Sequence, residues 1–478
     1  MKNLFKTEDW WSVWIGLFVF VLSLFTMVGV DLLGWGVRTS EWIDLSQATS
    51  AVSKTYAGLP GIVCLILTYV FMLVITCVGA KALGMDLGKF AGGFTVIFWL
   101  SYLCWLAGHW APIAVNTPAG LKKFGLSFSL RLTGESGFII ALLAGLVVGN
   151  FFKGFAGYLK EATRPEWYIK TAIVILGAGL GVQAAGATGL ATAVLFRGLC
   201  AIVEAYLIYW ALVYLVSRKF FKFSREWSAV LASGISICGV SAAIATGGAI
   251  RARAVVPVMV ASLVVIFAVV ELIILPALAA EFLDKQPMVA GAWMGLAVKT
   301  DGAAVASGAI TDALIRGKAA AAGIRWQEGW MLMAATTTKI FIDMFIGIWA
   351  FVLAVVWTTV IDRKPGEKTV GAGEIWNRFP KFVIGYFLTF IIMLLIGLAA
   401  PGLLAQAKLA SGEANIFRVM FFVLTFFSIG LVSDFGKLWE EGIGRLALVY
   451  VVCLFGFILW IGLAISFIFF HGLTPPAM

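Results

Sequence analysis

Thirteen charge-poor stretches, each at or near the roughly 20 apolar residues that cross a bilayer as a helix, recur along this chain. They fall at 10–30, 56–80, 90–114, 136–152, 170–185, 197–216, 227–250, 255–279, 287–313, 330–357, 380–400, 416–436 and 444–471. Backbone in hydrocarbon must satisfy its own polar groups, which restricts spanning structures to helices and closed barrels, and runs of this length suit helices. The chain is therefore expected to be an all-α integral membrane protein with about thirteen membrane segments. Composition agrees, since the 478 residues are 62% hydrophobic and 13% charged, against about 25% charged in a soluble domain. Soluble cores of this composition would lack the charge to cover their surfaces. The longest polar loop, 358–381, is too short for a folded domain, so no soluble catalytic domain is expected.

The net charge of +10 comes from 35 Lys and Arg against 25 Asp and Glu. The basic residues are scattered through short loops, where cytoplasmic anchoring explains them without a nucleic-acid partner. Six cysteines lie in apolar stretches without a CxxC spacing, and there are two histidines, so no metal centre or cofactor is expected. The first apolar run is long and uninterrupted, and reads as a membrane helix rather than a signal peptide. Walker A, GxSxG and HExxH patterns are missing, which leaves ATP-driven pumping and the common hydrolase chemistries without support. Tryptophans such as Trp10, Trp11, Trp35, Trp42, Trp105 and Trp110 suit the membrane interfaces.

Basic clusters at Arg218–Arg225, Lys153–Lys170 and Arg363–Lys381 mark the cytoplasmic side. From a cytoplasmic N-terminus, alternation places all three inside if segments 227–250 and 287–313 both span or are both re-entrant. If both span, the acidic 280–289 loop also lands inside, against the charge rule. These two segments also resemble one another: Ser241 to Gly247 (SAAIATG) aligns without a gap with Gly302 to Gly308 (GAAVASG). Small residues ease departure from the helix, and non-helical backbone at membrane depth is tolerated where it is buried in protein or lines a cavity. Paired interrupted segments point to a transporter's binding site. Both are expected to be discontinuous and to meet near the bilayer midplane.

Intramembrane charges face the protein interior by default. Glu204, Glu271, Lys299, Asp301, Lys339 and Asp343 lie well inside apolar windows; Glu135, Arg197 and Asp434 lie nearer the ends. Lys339 and Asp343 are four apart and can pair on one helix face. Glu204 and Glu271 have no cation nearby in sequence, which leaves protonation, pairing across helices or a proton path open. Lys299, in the middle of an interrupted segment, suits neutralisation of an oxyanion beside helix N-termini, or an ion pair with Asp301 or a glutamate that fixes geometry.

The run Gly234-Ile-Ser-Ile-Cys-Gly-Val-Ser-Ala-Ala-Ile-Ala resembles the SICG-[AG]-SAIAA signature of the sulfate exporter family of bacterial membrane proteins. Leu142 to Asn150, Ile173 to Leu180, Ala334 to Lys339, Phe379 to Phe387 and Ser428 to Leu431 follow in that family's order, and the resemblance runs from about Glu135 to the C-terminus. It implies a fold similar to the cation/proton antiporter and bile-acid transporter superfamily, with inverted repeats and discontinuous helices. It also implies Ser236, Cys238, Gly239, Ser241 and Lys339 as site positions. Where the family has a His-Asp pair and a Gln, this chain has Lys299-Thr300, an acid at Asp301 and Ala303, and Ile342 replaces an expected Arg.

The resulting expectation is a secondary transporter of a small inorganic or organic anion such as sulfate, sulfite or an organosulfonate, coupled to a proton or sodium ion, in the bacterial cytoplasmic membrane among its lipids. Lys299 would neutralise the anion, Ser236, Ser241 and Thr300 would donate to it, and Asp301 and Asp343 would serve the coupling ion. Residues 1–125 would form a three-helix accessory region, with a homodimer contact left open, and 126–478 the transporter core. A cation/proton antiporter using Lys299 and Asp301 is the alternative; a channel and a membrane-embedded enzyme are less favoured.

Overall fold

The computed structural model describes residues 4–115, 118–130, 132–253, 255–361, 376, 379–433 and 444–478. Arg363, Lys364, Lys368, Arg378 and Asp434 lie outside them. The described residues are all-α apart from one small hairpin, β1 (Val37–Thr39) against β2 (Thr49–Ala51), antiparallel with Arg38 opposite Ser50. Long helices follow the apolar windows: α1 (Glu8–Leu24), α2 (Gly61–Ala82), α3 (Leu87–Gly108), α4 (Ser136–Phe151), α5 (Pro165–Gly186) and α6 (Thr188–Lys219). Then come α7 (Arg225–Ser236), α8 (Ser241–Ala249), α9 (Val255–Phe282), α10 (Pro287–Ala297) and α11 (Asp301–Ala321). The last four are α12 (Trp330–Ile361), α13 (Lys381–Ala399), α14 (Pro401–Val432) and α15 (Gly444–Phe470). Polar side chains start several of them: Thr7 accepts from the Trp10 N–H, Asp86 from Lys89 and Ser224 from Trp227, filling donors the first turn leaves open.

Contacts between chain ends divide the bundle into two ends. Glu8 meets Arg164, Asp9 accepts from the Lys381 N–H, and Arg445 reaches the Phe221 carbonyl, which gathers the starts of α1, α5, α13 and α15 and the end of α6 at one end. Lys153, Lys160, Arg164 and Arg218 to Arg225 are there too, so this is the basic end. At the other, Trp42 bonds to the His109 carbonyl, Gln183 to the Glu328 carbonyl and Met478 to the Arg325 carbonyl.

This sorting resolves the two small-residue segments as hairpins. Arg253, just past α8, returns to Glu226 at the start of α7, its backbone N–H donating at 2.6 Å and its guanidinium pairing at 3.0 Å. Thr246 of α8 donates to Ser233 of α7 at 2.7 Å; in a continuous helix these thirteen residues would separate them by about 20 Å. Likewise α10 and α11 lie side by side on the first half of α12. Gly291 packs on Met331 and Gly295 on Ala335, while on the returning strand of the hairpin Asp301 faces Lys339 and Asp312 accepts from Met331. Lys318 in the last turn of α11 pairs with Glu281 at the end of α9, at 2.5 Å. The first hairpin thus enters from the basic end and the second from the opposite end.

Ten helices among the described residues are long and apolar enough to cross a membrane. An eleventh crossing is α4, after which residues 153–162 bend away by 115°. The thirteen expected membrane segments are thus eleven crossings and two re-entrant hairpins at 227–250 and 287–313, the pair whose spanning the sequence left open, because a window's apolar length does not reveal whether the chain turns back at its glycines. Close helix contacts come from small residues: a Cβ at Gly177 or Gly181 of α5 would strike the Tyr386 or Phe390 carbonyl of α13, and one at Gly145 of α4 the Phe427 carbonyl of α14. Helix α1 lies in the same apolar core, with Gly16 against Val174 of α5.

Candidate functional site

The hairpin tips touch. Helix α7 stops at Ser236, residues 237–240 are non-helical, and α8 begins at Ser241; helix α10 stops at Ala297, Val298 and Thr300 are extended, and α11 begins at Asp301. Four helix ends here free backbone groups that the interior must pair. The Gly239 N–H donates to the Lys299 carbonyl at 2.8 Å, the Ile237 carbonyl accepts from Lys339 Nζ at 2.6 Å, and the Thr300 hydroxyl oxygen caps Ala303 N at 3.3 Å. Glycine is required at 239 because a Cβ would overlap the Val264 side chain of α9.

Charges gather at the same crossing. Lys339 Nζ stands 3.5 Å from Asp301 Oδ1 and 3.8 Å from Asp343 Oδ1, and the Cys238 thiol donates to Asp301 at 3.0 Å. All four side chains are buried. Burying them costs desolvation that this mutual pairing offsets. The Cys238, Asp301 and Asp343 ligand atoms lie within 4.8 Å of one another, a spacing that suits a shared cation, and the Lys339 ammonium fills that role. Among the described residues neither oxygen of Asp343 has a hydrogen-bond donor and the buried Ser236 hydroxyl has no partner.

A cavity of about 220 Å³ reaches the tips between α5, α9 and α14. Its walls include Glu166, Val240, Ser262, Thr300, Gly302 and Thr425, so it ends where α8 and α11 begin. Glu166 is paired with Lys170 at 3.6 Å. A second cavity, about 580 Å³, shares Ser262 and Val432 with the first and is rimmed by Lys153, Lys160 and Arg164 at the basic end.

Lys299 faces another way. Its ammonium lies over the Tyr209 ring, 4.4 Å from the centroid, and donates to the Leu296 carbonyl; its charged neighbours are Glu204, Glu271 and Lys339. Among the described residues it makes no ion pair with Asp301, and it does not line the cavity. Of the residues expected in the site, the structure thus brings Cys238, Gly239, Asp301, Lys339 and Asp343 together at the crossing and Thr300 to the cavity wall. It leaves Ser236 buried beneath the tip and Ser241 on the first turn of α8, and turns the Lys299 side chain toward Glu204. Sequence reasoning missed Glu166, Tyr209, Tyr450 and the Ile237 carbonyl; an acid at the start of α5 was visible, whereas the tyrosines sit in apolar runs that carry no signal.

Residues 125–449 match the family model described as conserved hypothetical protein 698. A protein of Nitrosomonas europaea named a UPF0324 membrane protein is 45% identical, covering 99% of this chain and 97% of its own. Another of that name from Rhodopirellula baltica is 30% identical over 87% of this chain and 68% of its own, and one from Streptococcus agalactiae 24% identical over 67% and 87%. No solved structure matches. With a multi-pass helical architecture, a match across most of its length and relatives named as membrane proteins, the chain belongs to this conserved hypothetical protein 698 family of membrane proteins.

Proposed function

We propose that the protein is a secondary transporter of a small anion and works by alternating access. The observation that carries this is the pair of adjoining cavities, sharing the walls Ser262 and Val432, that lie between Lys153, Lys160 and Arg164 and the point where two interrupted helices begin. Basic side chains at the mouth raise the local anion concentration. Helix N-termini at the inner end offer N–H groups and partial positive charge, the arrangement by which discontinuous helices hold anionic groups in transporters. The inner cavity has room for an oxyanion with part of its hydration shell. By the positive-inside rule the open end is cytoplasmic. The SICG-type motif at residues 236–239 favours sulfate, sulfite or an organosulfonate as the cargo.

In this reading Thr300 and the first N–H groups of α8 and α11 bind the anion. Lys339, held by Asp301 and Asp343, keeps the crossing cationic enough to accept it. Among the described residues, none before Gly149 lines either cavity, which suits an accessory role for residues 1–125. A second reading, a cation/proton antiporter, is favoured by the Asp301–Lys339–Asp343 cluster, where an incoming cation would displace the ammonium. Uptake of radiolabelled sulfate and sulfite, and separately of sodium, into liposomes bearing the purified protein tests both. Saturable anion uptake with trans-stimulation is expected; sodium-for-proton exchange without anion uptake would replace the first reading by the second, and continuous conductance would exclude both.

A further inference from the structure

On the far side of the second hairpin from the cavity lies a second buried polar group, built from four elements. Glu204 opens a π-helical turn, Glu204–Tyr209, inside α6, and a second π-turn, Leu454–Ile458, lies in α15. Such turns leave carbonyls without their helical partner and concentrate at functional sites. Here they face one another: the Tyr209 hydroxyl donates to the Ile458 carbonyl at 2.7 Å, and Trp293 of α10 donates to the Leu459 carbonyl at 2.9 Å. Gly462 of α15 leaves room for both side chains, since a Cβ there would come within 2.7 Å of the Tyr209 hydroxyl and 3.3 Å of Glu204 Oε1.

Glu204 is 1% exposed, and neither of its oxygens has a hydrogen-bond donor among the described residues. Its ionisable neighbours are Lys299 of the second hairpin and Tyr209 and Cys200 of its own helix. Glu271 of α9 accepts from the Tyr450 hydroxyl at 2.8 Å and from the Lys299 backbone N–H at 3.2 Å, with Lys299 and Lys339 as its charged neighbours. Lys339 is paired with Asp301 and Asp343, so the two carboxyl groups share the Lys299 ammonium, and these three side chains reach neutrality when one carboxyl holds a proton. An unpaired buried charge is costly, so that proton has a place to sit.

The Lys299 peptide joins this group to the hairpin crossing. Its N–H is held by Glu271, and its carbonyl accepts from Gly239 at the tip of the other hairpin. Charge on the carboxylates strengthens the first bond, and a shift of this short peptide is felt at the second.

We propose that Glu204, Lys299 and Glu271 form a proton-binding centre, separate from the cavity at the hairpin tips, whose occupancy sets the contact between the two hairpins through the Lys299 peptide. A hydronium ion gives its proton to a carboxylate oxygen: its O–H bond breaks, the carboxyl O–H forms and a water is released. As the source of the coupling ion, the centre rests on the transport reading; as a proton site controlling the tips, it does not.

The test is amide hydrogen exchange of the full-length protein in nanodiscs, followed at peptides containing Gly239 and Lys299 from about pH 5.5 to about pH 8.5 and corrected for the intrinsic pH dependence of exchange. Wild-type protection at the tips is expected to change with pH, about tenfold for each unit by which proton affinity differs between the two tip arrangements. Glu204→Gln should flatten the profile, and Tyr450→Phe, which removes only a hydroxyl, should move its midpoint while keeping the fold. A flat wild-type profile, or one unchanged in Glu204→Gln, Glu271→Gln and Tyr450→Phe, overturns the proposal. Sulfate uptake into liposomes under an imposed pH gradient separates the two readings. Sulfate uptake indifferent to the gradient, with flat tips, removes the proton centre and keeps the transporter. Tips that respond to pH in a protein that moves no anion keep the centre and remove the transporter.

Discussion

The Gly239 N–H and the Lys299 carbonyl, 2.8 Å apart, bond the tip of a hairpin from the basic end to the tip of one from the opposite end. Gly239 is pressed against Val264. Gly239→Ala is therefore expected to force the tip away from α9 at a cost of about 1–3 kcal/mol, and Gly239→Ala with Val264→Ala to recover much of it. Thermal unfolding of the purified variants decides; equal melting temperatures for the single and double variants would show that Val264 is not what excludes a side chain.

Removal of Lys339 leaves Asp301 and Asp343 buried without their cation. Lys339→Ala should destabilise the fold by about 3–5 kcal/mol, and Asp343→Asn in the same chain should restore part of that loss by removing one stranded charge. A Lys339→Ala protein as stable as wild type would mean that the carboxylates find another partner, and the crossing would not need its ammonium.

The basic rim makes a kinetic prediction. Lys153 and Lys160 are exposed on the wall of the outer cavity, so Lys153→Glu with Lys160→Glu should slow anion uptake at low ionic strength and do so less as salt rises and screens the field. The melting temperature should hold, because exposed charges contribute little to stability. Uptake unaffected at every salt concentration would show that the anion enters elsewhere.

His109, just past the end of α3, donates from Nδ1 to the Trp105 carbonyl at 2.9 Å and packs on the Trp105 ring. Burial holds its imidazole below the usual histidine range. The unfolded chain therefore takes the proton first, and stability falls as pH drops from about 6.5 toward the lower folded-state value. His109→Gln keeps a donor for the carbonyl and should lose less stability than wild type across that window; parallel melting-temperature profiles would exclude His109 as the cause.

Hydropathy alone located every long helix, because a run such as Val255–Phe282 needs no partner to be apolar. Charge bookkeeping around Glu281, Asp284 and Lys285 already marked 227–250 and 287–313 as unusual. The choice between crossing and turning back rests on Glu226 meeting Arg253 and Ser233 meeting Thr246, contacts that no local pattern encodes. Adjacency in sequence also failed at the break: Lys299 and Asp301 are two residues apart, yet the extended Thr300 between them lets one turn to Glu204 and the other to Lys339. The four-residue spacing of Lys339 and Asp343 was legible because both lie on one continuous helix, where spacing fixes direction.

The joined tips have a consequence for insulation. If the two tips parted, the Gly239 N–H and the Lys299 carbonyl would each lose a partner, at a cost of about 1–3 kcal/mol wherever no water or other group takes its place. On the transport reading proposed above, that cost favours the hairpins shifting together, with the seal between the two compartments kept at their joined tips.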